Sequence, residues 1–462
     1  MSHTVNEFLE KAEEKSFDPE HRKRLDYNIS KYNDKVREGK LQYADIELAK
    51  RRAANIKYKA ISNLDRYLLE FESNFIKNGG KVIWASSEKD AHRELLNIVK
   101  RSDAKLVVKQ KTMLSEELDI NELLKKNHRE VLETDLGEFI VQIAGEKPYH
   151  ILTPAMHKSK EDVAALFHEK YGMPPDSRPE DITKFVRELL RDKFVRADIG
   201  ITGGNFLIAD IGAVALTENE GNGLLSIAFP KIHIAVVGIE KIIPSLEDLD
   251  LFLPLLATLG TGQNITVYNN IVMGPKTSDE CDGPDEMYVI LINNGRTDLL
   301  KLPAQRSALS CIRCGACLNG CPVYRSIGGY TYGAVYSGPI GSVISPHYLG
   351  LKEYNHLSYA SSLCGKCTEV CPLKIPLHEL LLYNRHEAVK NGYTKSSWKI
   401  IMFGWKKIML NRWMLDRSGS VLKNRFLKMF FRKPWGERRE LPRVAKKNFK
   451  QLWSEKQREK EN

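Results

Sequence analysis

KVIWASSEKDAHRELLNIVKRSDAKLVVKQ (81–110) decides the fold. KVIWA (81–85) has the texture of a short buried strand, SSEKDAHRELLNIVKR (86–101) reads as a helix, and KLVVKQ (105–110) is a second strand. Strands alternating with helices predict an open α/β sheet. The alternation continues downstream. FIVQI (139–143), FLIADIGAVAL (206–216), IHIAVVGI (232–239), ITVYNNIV (265–272) and MYVILINNG (287–295) read as strands, and a helix opens at Ser159 with Asp162 as its capping-box partner. This α/β domain is placed at 79–298. Residues 1–78 read as a polar helical arm that packs on it. Leu64, Tyr67, Leu68, Phe71 and Phe75 share one helical face, and Asn78-Gly79-Gly80 supplies the stop.

The chain has 462 residues, 42% hydrophobic and 28% charged, enough for two to four globular domains. No apolar run reaches the ~18 residues of a membrane-spanning helix. The opening MSHTVNEFLEKAEEKSF lacks the apolar core of a secretion signal. The expectation is a soluble, cytoplasmic protein.

Seven of the eight cysteines fall within 61 residues: Cys311, Cys314, Cys317, Cys321, Cys364, Cys367 and Cys371. Clustered thiols in a chain that is neither small nor secreted point to metal rather than disulfides. Cys311-Ile-Arg-Cys-Gly-Ala-Cys-Leu-Asn-Gly-Cys321-Pro322 has the spacing C-x2-C-x2-C-x3-C-P of bacterial [4Fe–4S] proteins. Three thiolates wrap one cubane, while the fourth points toward a second. Gly315 lets main-chain amides approach the sulfurs, and Pro322 diverts the backbone. Cys364-Gly-Lys-Cys367-Thr-Glu-Val-Cys371-Pro372 repeats the motif without its first cysteine, where Ser361 stands. Crossing the ligands assigns Cys311, Cys314, Cys317 and Cys371 to one cluster, and Cys321, Cys364 and Cys367 to another. The deficit leaves three options: a [3Fe–4S] centre, a [4Fe–4S] centre with a non-cysteine ligand (Ser361, His347, His356 or water), or a ligand from a partner chain. Zinc, which prefers two separated pairs, fits this spacing badly. Cys281 stands alone and reads as an ordinary thiol. The ferredoxin-like segment is placed at 299–391, with a helix over 376–392.

Seven of the 18 tyrosines lie between Pro322 and Leu363. They read as aromatic packing around a loop-rich wrap, and together as a shell that limits water access to the clusters. No G-x-G-x-x-G follows a strand: GTG at 260–262 has Ile265 where a third glycine would stand. No phosphate-binding P-loop and no serine nucleophile elbow is present. The chain holds electrons but shows no flavin or nicotinamide motif.

GITGGNFLIADIGAVALTENEGNG (200–223), KIHIAVVGIEKIIPSLEDL (231–249), CIRCGACLNGCPVY (311–324) and SLCGKCTEVCPLKIPLHELL (362–381), taken together, strongly resemble the lactate-utilisation protein B family over nearly the whole chain. The resemblance implies a fold like that of ribose-5-phosphate isomerase and CoA-transferase-like proteins, followed by a mainly helical two-cluster ferredoxin module. It implies two [4Fe–4S] clusters on the seven cysteines above, the three-cysteine second motif being the family's own pattern. It also implies a role as electron carrier in a three-protein system oxidising L-lactate to pyruvate. The partners would be a cysteine-rich iron–sulfur protein of the glycolate-oxidase type and a smaller protein carrying only the α/β domain. Glu218, Asn219, Glu220 and Asn222 follow a strand in a glycine-punctuated loop. They read either as a small-molecule pocket, for a hydroxy acid, or as a polar turn whose Gly and Asn residues serve positive φ.

From Lys390 onward there are 21 Lys/Arg against 6 Asp/Glu, so the tail carries +15 of a total +11 and the remainder is −4. Five of six tryptophans (Trp398, Trp405, Trp413, Trp435, Trp453) lie there. The tail, 392–462, is expected to be helical and to pack on a partner or on this chain in preference to an anionic membrane surface at the cytoplasmic face. It lacks a nucleic-acid-binding fold. Two other functions compete with the electron carrier: a catalytic enzyme binding substrate at the open iron of the three-cysteine cluster, and a redox-sensing or scaffolding protein.

Overall fold

The computed structural model describes residues 3–394, 396–417, 419–436 and 439–461. Its strands are β1 Lys81–Ala85, β2 Leu106–Lys109, β3 Glu130–Glu133, β4 Ile199–Thr202, β5 Phe206–Ile208, β6 Ala213–Glu218, β7 Ile232–Gly238, β8 Ile242–Ile243, β9 Tyr268–Val272 and β10 Glu286–Ile292. Six form a wholly parallel open sheet in the order β1-β10-β7-β4-β2-β3. Parallel sheets are covered on both faces, which is why β2, β4 and β7 are buried at every position. The other four make a second sheet, β8-β5-β6-β9.

The helix Glu88–Arg101 follows β1. Ser87 caps it by accepting from Asp90 N, and Ala91, Leu95, Ile98 and Val99 form its buried face. The helix Lys160–Tyr171 opens with the expected Ser159–Asp162 capping box. FIVQI (139–143), expected as a strand, is the end of a helix, Leu136–Ile143. Asp135 accepts from the N–H groups of Gly137 and Glu138 at 2.9 and 3.2 Å, and this cap starts the helix just ahead of the apolar run. The strand in this region is β3, which pairs with the edge of β2. FLIADIGAVAL is not one strand but the antiparallel hairpin β5–β6. Its turn is fixed from outside: Asn74 donates to the carbonyls of Ala209 and Asp210, both at 2.9 Å. At Gly212, φ is +60°, and a Cβ would lie 2.2 Å from Phe75 N, so only glycine fits.

The arm packs as its spacing predicts. In the helix Leu64–Lys77 the buried residues are Leu64, Leu68, Phe71 and Phe75, and Gly79 closes it at φ +86°. The helices Pro19–Gly39 and Ile46–Ser62 contact both later segments. Lys57 donates to the carbonyls of Glu240 and Ile242, Lys50 to that of Glu369, and Arg325 pairs with Asp26 at 2.9 Å. One apolar core runs from Leu25 through Phe206 to Cys314 and Leu380. The chain up to Ala388 is one compact unit, and a second begins at Val389.

The second unit contains the helices Ser396–Met409, Arg412–Arg417, Ser420–Trp435 and Phe449–Glu461. Trp398, Phe403, Trp405, Trp413 and Trp453 are exposed on them. Among the described residues no helix is long and apolar enough to cross a membrane.

Candidate iron–sulfur site and the adjoining cavity

A 3-10 turn, Gln305–Ser310, delivers Cys311, and a short helix, Ala316–Asn319, carries Cys317. Between them Arg313 and Gly315 take the left-handed conformation, φ +60° and +76°, which curls the loop around Cys314. The second loop repeats this shape: Leu363 (φ +54°) and Gly365 (φ +80°) flank Cys364, ahead of the helix Lys366–Glu369.

The sulfurs fall into two sets. Cys311, Cys314, Cys317 and Cys371 line one cavity, walled by Ile151, Ile312, Ile340, Leu373 and Ile375. Burial raises the Cys314 and Cys317 thiols, and the neighbouring members of this set raise them further. Burial likewise pushes Cys371 up to about 12, with Cys311 adding to the rise. In the other set, burial and then Cys321 push Cys367 up to about 11, and Cys364 adds to the rise of both. Thiols gathered in so apolar a place ionise only beside a bound cation, the role iron fills.

Main-chain N–H groups already serve the sulfurs. Arg313 N donates to Cys311 Sγ at 3.4 Å, Tyr324 N to Cys321 Sγ at 3.5 Å, and Ile375 N to Cys371 Sγ at 3.4 Å. This donor set fits [4Fe–4S] clusters. Thiolates on one zinc ion would converge to about 3.8 Å from one another. Among the described residues no three His, Cys, Asp or Glu side chains gather closely enough for a single ion.

Ser361 occupies in the second loop the position of Cys311 in the first. Its Oγ accepts from Leu363 N at 3.1 Å, the counterpart of the Arg313–Cys311 contact. The two histidines considered for the same place are engaged elsewhere: His347 with Asn384 at 2.9 Å, and His356 with the Glu353 carbonyl and the rings of Phe8 and Tyr354. Cys364 and Cys281 are exposed, and Cys281 belongs to neither set. Of the tyrosines, Tyr324, Tyr332 and Tyr336 are buried, and Tyr324 anchors the wrap by donating to the Tyr149 carbonyl at 3.1 Å.

A second cavity, of about 320 Å³, opens at the carboxyl ends of β2, β4 and β7, where open α/β sheets bind ligands. Its lining includes Ile312 and Arg313, which also line the cysteine-ringed cavity. The loop Glu218–Asn222 borders it, yet most of that loop's polar groups hold the loop itself. Glu218 accepts from the N–H groups of Gly223 and Leu224 at 2.6 and 2.9 Å, Asn219 pairs with Gln263, and Gly221 has φ +75°. Both readings of the loop therefore apply: it is a satisfied turn and a cavity wall. Glu220 is pushed up to about 7 by burial, and then by the charge of Asp135.

Sequence reasoning missed the charged wall. Arg296 grips Glu117 with two nitrogens at 2.9 Å and Glu240 with Nε at 2.7 Å. Burial favours a neutral Glu240, but Arg296, Arg313 and Lys241 override it and hold the carboxyl down at about 2. Arg313 lies 3.7 Å from Glu240 and 4.6 Å above the Tyr336 ring. The available signals were an arginine inside the cysteine loop and a Glu-Lys pair ending the buried strand IHIAVVGIEK.

Comparison with known protein families gives two matches along the chain. A LUD domain matches residues 68–292, and a 4Fe-4S dicluster domain matches residues 307–375. The fold and the cysteine loops thus define an iron–sulfur protein built on a LUD domain. "Lactate utilization protein B" of Bacillus pumilus (strain SAFR-032) is 40% identical over 422 residues, covering 87% of this chain and 88% of that protein. Its namesake in Bacillus subtilis (strain 168) is 45% identical over 349 residues, 75% of this chain and 73% of that one. A crystal structure of a DUF162 family protein from Deinococcus radiodurans aligns with 50% of this chain and 98% of its own, at 16% identity and a TM-score of 0.29. The chain belongs to the lactate utilization protein B family.

Proposed function

We propose that this chain is the iron–sulfur electron carrier of a multi-protein system that oxidises L-lactate to pyruvate, relaying electrons through two [4Fe–4S] clusters to a further acceptor. The observation that carries this reading is the interleaving of the sulfurs: Cys371 of the second motif joins the first set, and Cys321 of the first motif joins the second. Such crossing is the arrangement of two-cluster ferredoxins. The relatives' names supply the link to lactate utilization.

Cys311, Cys314, Cys317 and Cys371 would hold one cluster, and Cys321, Cys364 and Cys367 the other, with Ser361 as its oxygen ligand. Bound there, the pair supplies two one-electron stores, matching the two electrons released when a hydroxyl and its C–H become a ketone. The chain's own part is to hold the thiolates, donate main-chain N–H to them and keep water out with Ile151, Ile340 and Ile375. Its partners would be a cysteine-rich iron–sulfur protein of the glycolate-oxidase type and a smaller LUD-domain protein, on the cytoplasmic side.

Anaerobically prepared chain should contain about eight irons with matching sulfide. Cys314→Ser should lower this to about four, erase one electron paramagnetic resonance signal and abolish lactate-dependent electron flow in the assembled system. A colourless or zinc-loaded preparation, or normal flow through Cys314→Ser, would reject the proposal.

A further inference from the structure

The geometry points to the 320 Å³ cavity as a binding site for a small carboxylate bearing a hydroxyl or keto oxygen, held at its carboxylate by Lys241 and Arg313. Two cations line this space with donors to spare. Lys241 makes no hydrogen bond or ion pair among the described residues. The Arg313 side chain is only 10% exposed, and its Nη1 is buried without an acceptor. The other two lining cations are occupied: Arg296 by Glu117 and Glu240, and Lys111 by the Leu152 carbonyl at 2.9 Å and Glu138 at 3.5 Å. A guanidinium that pairs with Glu240 through Nη2 but keeps Nη1 free, lining the same space as an ammonium, calls for an anion, and the guanidinium fork suits a carboxylate or a phosphate.

The carboxylates of the lining decide between them. Asp135, Glu218 and Glu220 line the cavity together with Asn219, Thr261 and Gln263. A multiply charged phosphate would face those carboxylates, whereas a singly charged acid can turn its hydrogen-bonding oxygen toward them. The volume lies at the small end of ligand pockets. Arg313 lines both this space and the cysteine-ringed one, so an anion bound here sits against the first cluster's loop.

This inference rests on the electron-carrier reading only for its choice of probes; binding is measured apart from electron flow. Calorimetry on anaerobic, iron-replete full-length chain should detect L-lactate or pyruvate, with propionate roughly tenfold weaker. Lys241→Gln should weaken binding roughly tenfold or more at unchanged iron and sulfide, and Lys241→Arg should restore it. A measurement that needs no variant is the electron paramagnetic resonance line shape of the reduced chain, which L-lactate should perturb. Tighter binding of inorganic phosphate than of either acid, affinity unmoved by Lys241→Gln, or neither heat nor a spectral change up to tens of millimolar would overturn the site. Electron flow that persists without such binding would overturn this site alone and leave the carrier intact.

Discussion

One side chain separates the two cysteine loops. Ser361 receives Leu363 N as Cys311 receives Arg313 N, so a donor oxygen stands where the sixth thiol of a full pair of triplets would be. Oxygen is a harder ligand than sulfur and holds its iron less firmly. Ser361→Ala should therefore shed about one iron of the eight on mild oxidation, giving a three-iron signal from the second cluster. Ser361→Cys should retain all eight and shift that cluster's spectrum while leaving the first unchanged. Identical spectra for wild type and both variants would remove Ser361 from the ligand set. Spacing set Ser361 at the place of the missing cysteine but left His347 and His356 as alternatives; the backbone contact at Ser361 and the engagement of both histidines elsewhere favour the serine.

Strand β7 shows what local pattern can and cannot say. IHIAVVG is apolar enough to name as a strand, but its histidine gives no sequence sign of its surroundings. His233 is fully buried with Thr202 as its partner at 2.8 Å, and burial pulls its pKa down to about 3. The folded pKa lies below the unfolded value of about 6.5, so the fold is penalised as pH falls below about 6.5. From pH 7 to pH 5 this one group should cost about 2 kcal/mol. Denaturant unfolding at the two pH values should show wild type losing that much more than His233→Gln; equal losses would mean that His233 titrates normally. Of the parallel strands, β1, β2, β7 and β10 were legible as apolar runs, whereas β3 and β4, four residues each, were too short to stand out from their surroundings. FIVQI misled because its β-rich composition competes with a cap, Asp135, that lies one turn upstream. The β5–β6 hairpin was hidden because its turn is dictated by Asn74, 135 residues earlier, rather than by its own residues.

In the whole molecule, the arm, the sheets and the cysteine loops share one apolar core. That core is closed by Ala388, before the basic helices begin. A chain ending at Gly392 should keep its iron, sulfide and midpoint of unfolding, and lose retention of the proposed partner proteins at low salt. Liposome flotation should be equal for the full and shortened chains; selective flotation of the full chain would instead assign the tail to anionic lipid. The cysteine motifs were readable in advance because their spacing is a local property. The cation-lined cavity was not, since strand ends from β2, β4 and β7 and the first cysteine loop meet there only after folding.

The four-thiol ring takes its last member, Cys371, from sixty positions beyond its first, Cys311. On the proposed assignment, a ribosome must therefore finish nearly the whole compact unit before either cage can be closed. Maturation factors would meet an almost complete polypeptide, and a nascent chain stalled before Cys364 could shelter neither inorganic core.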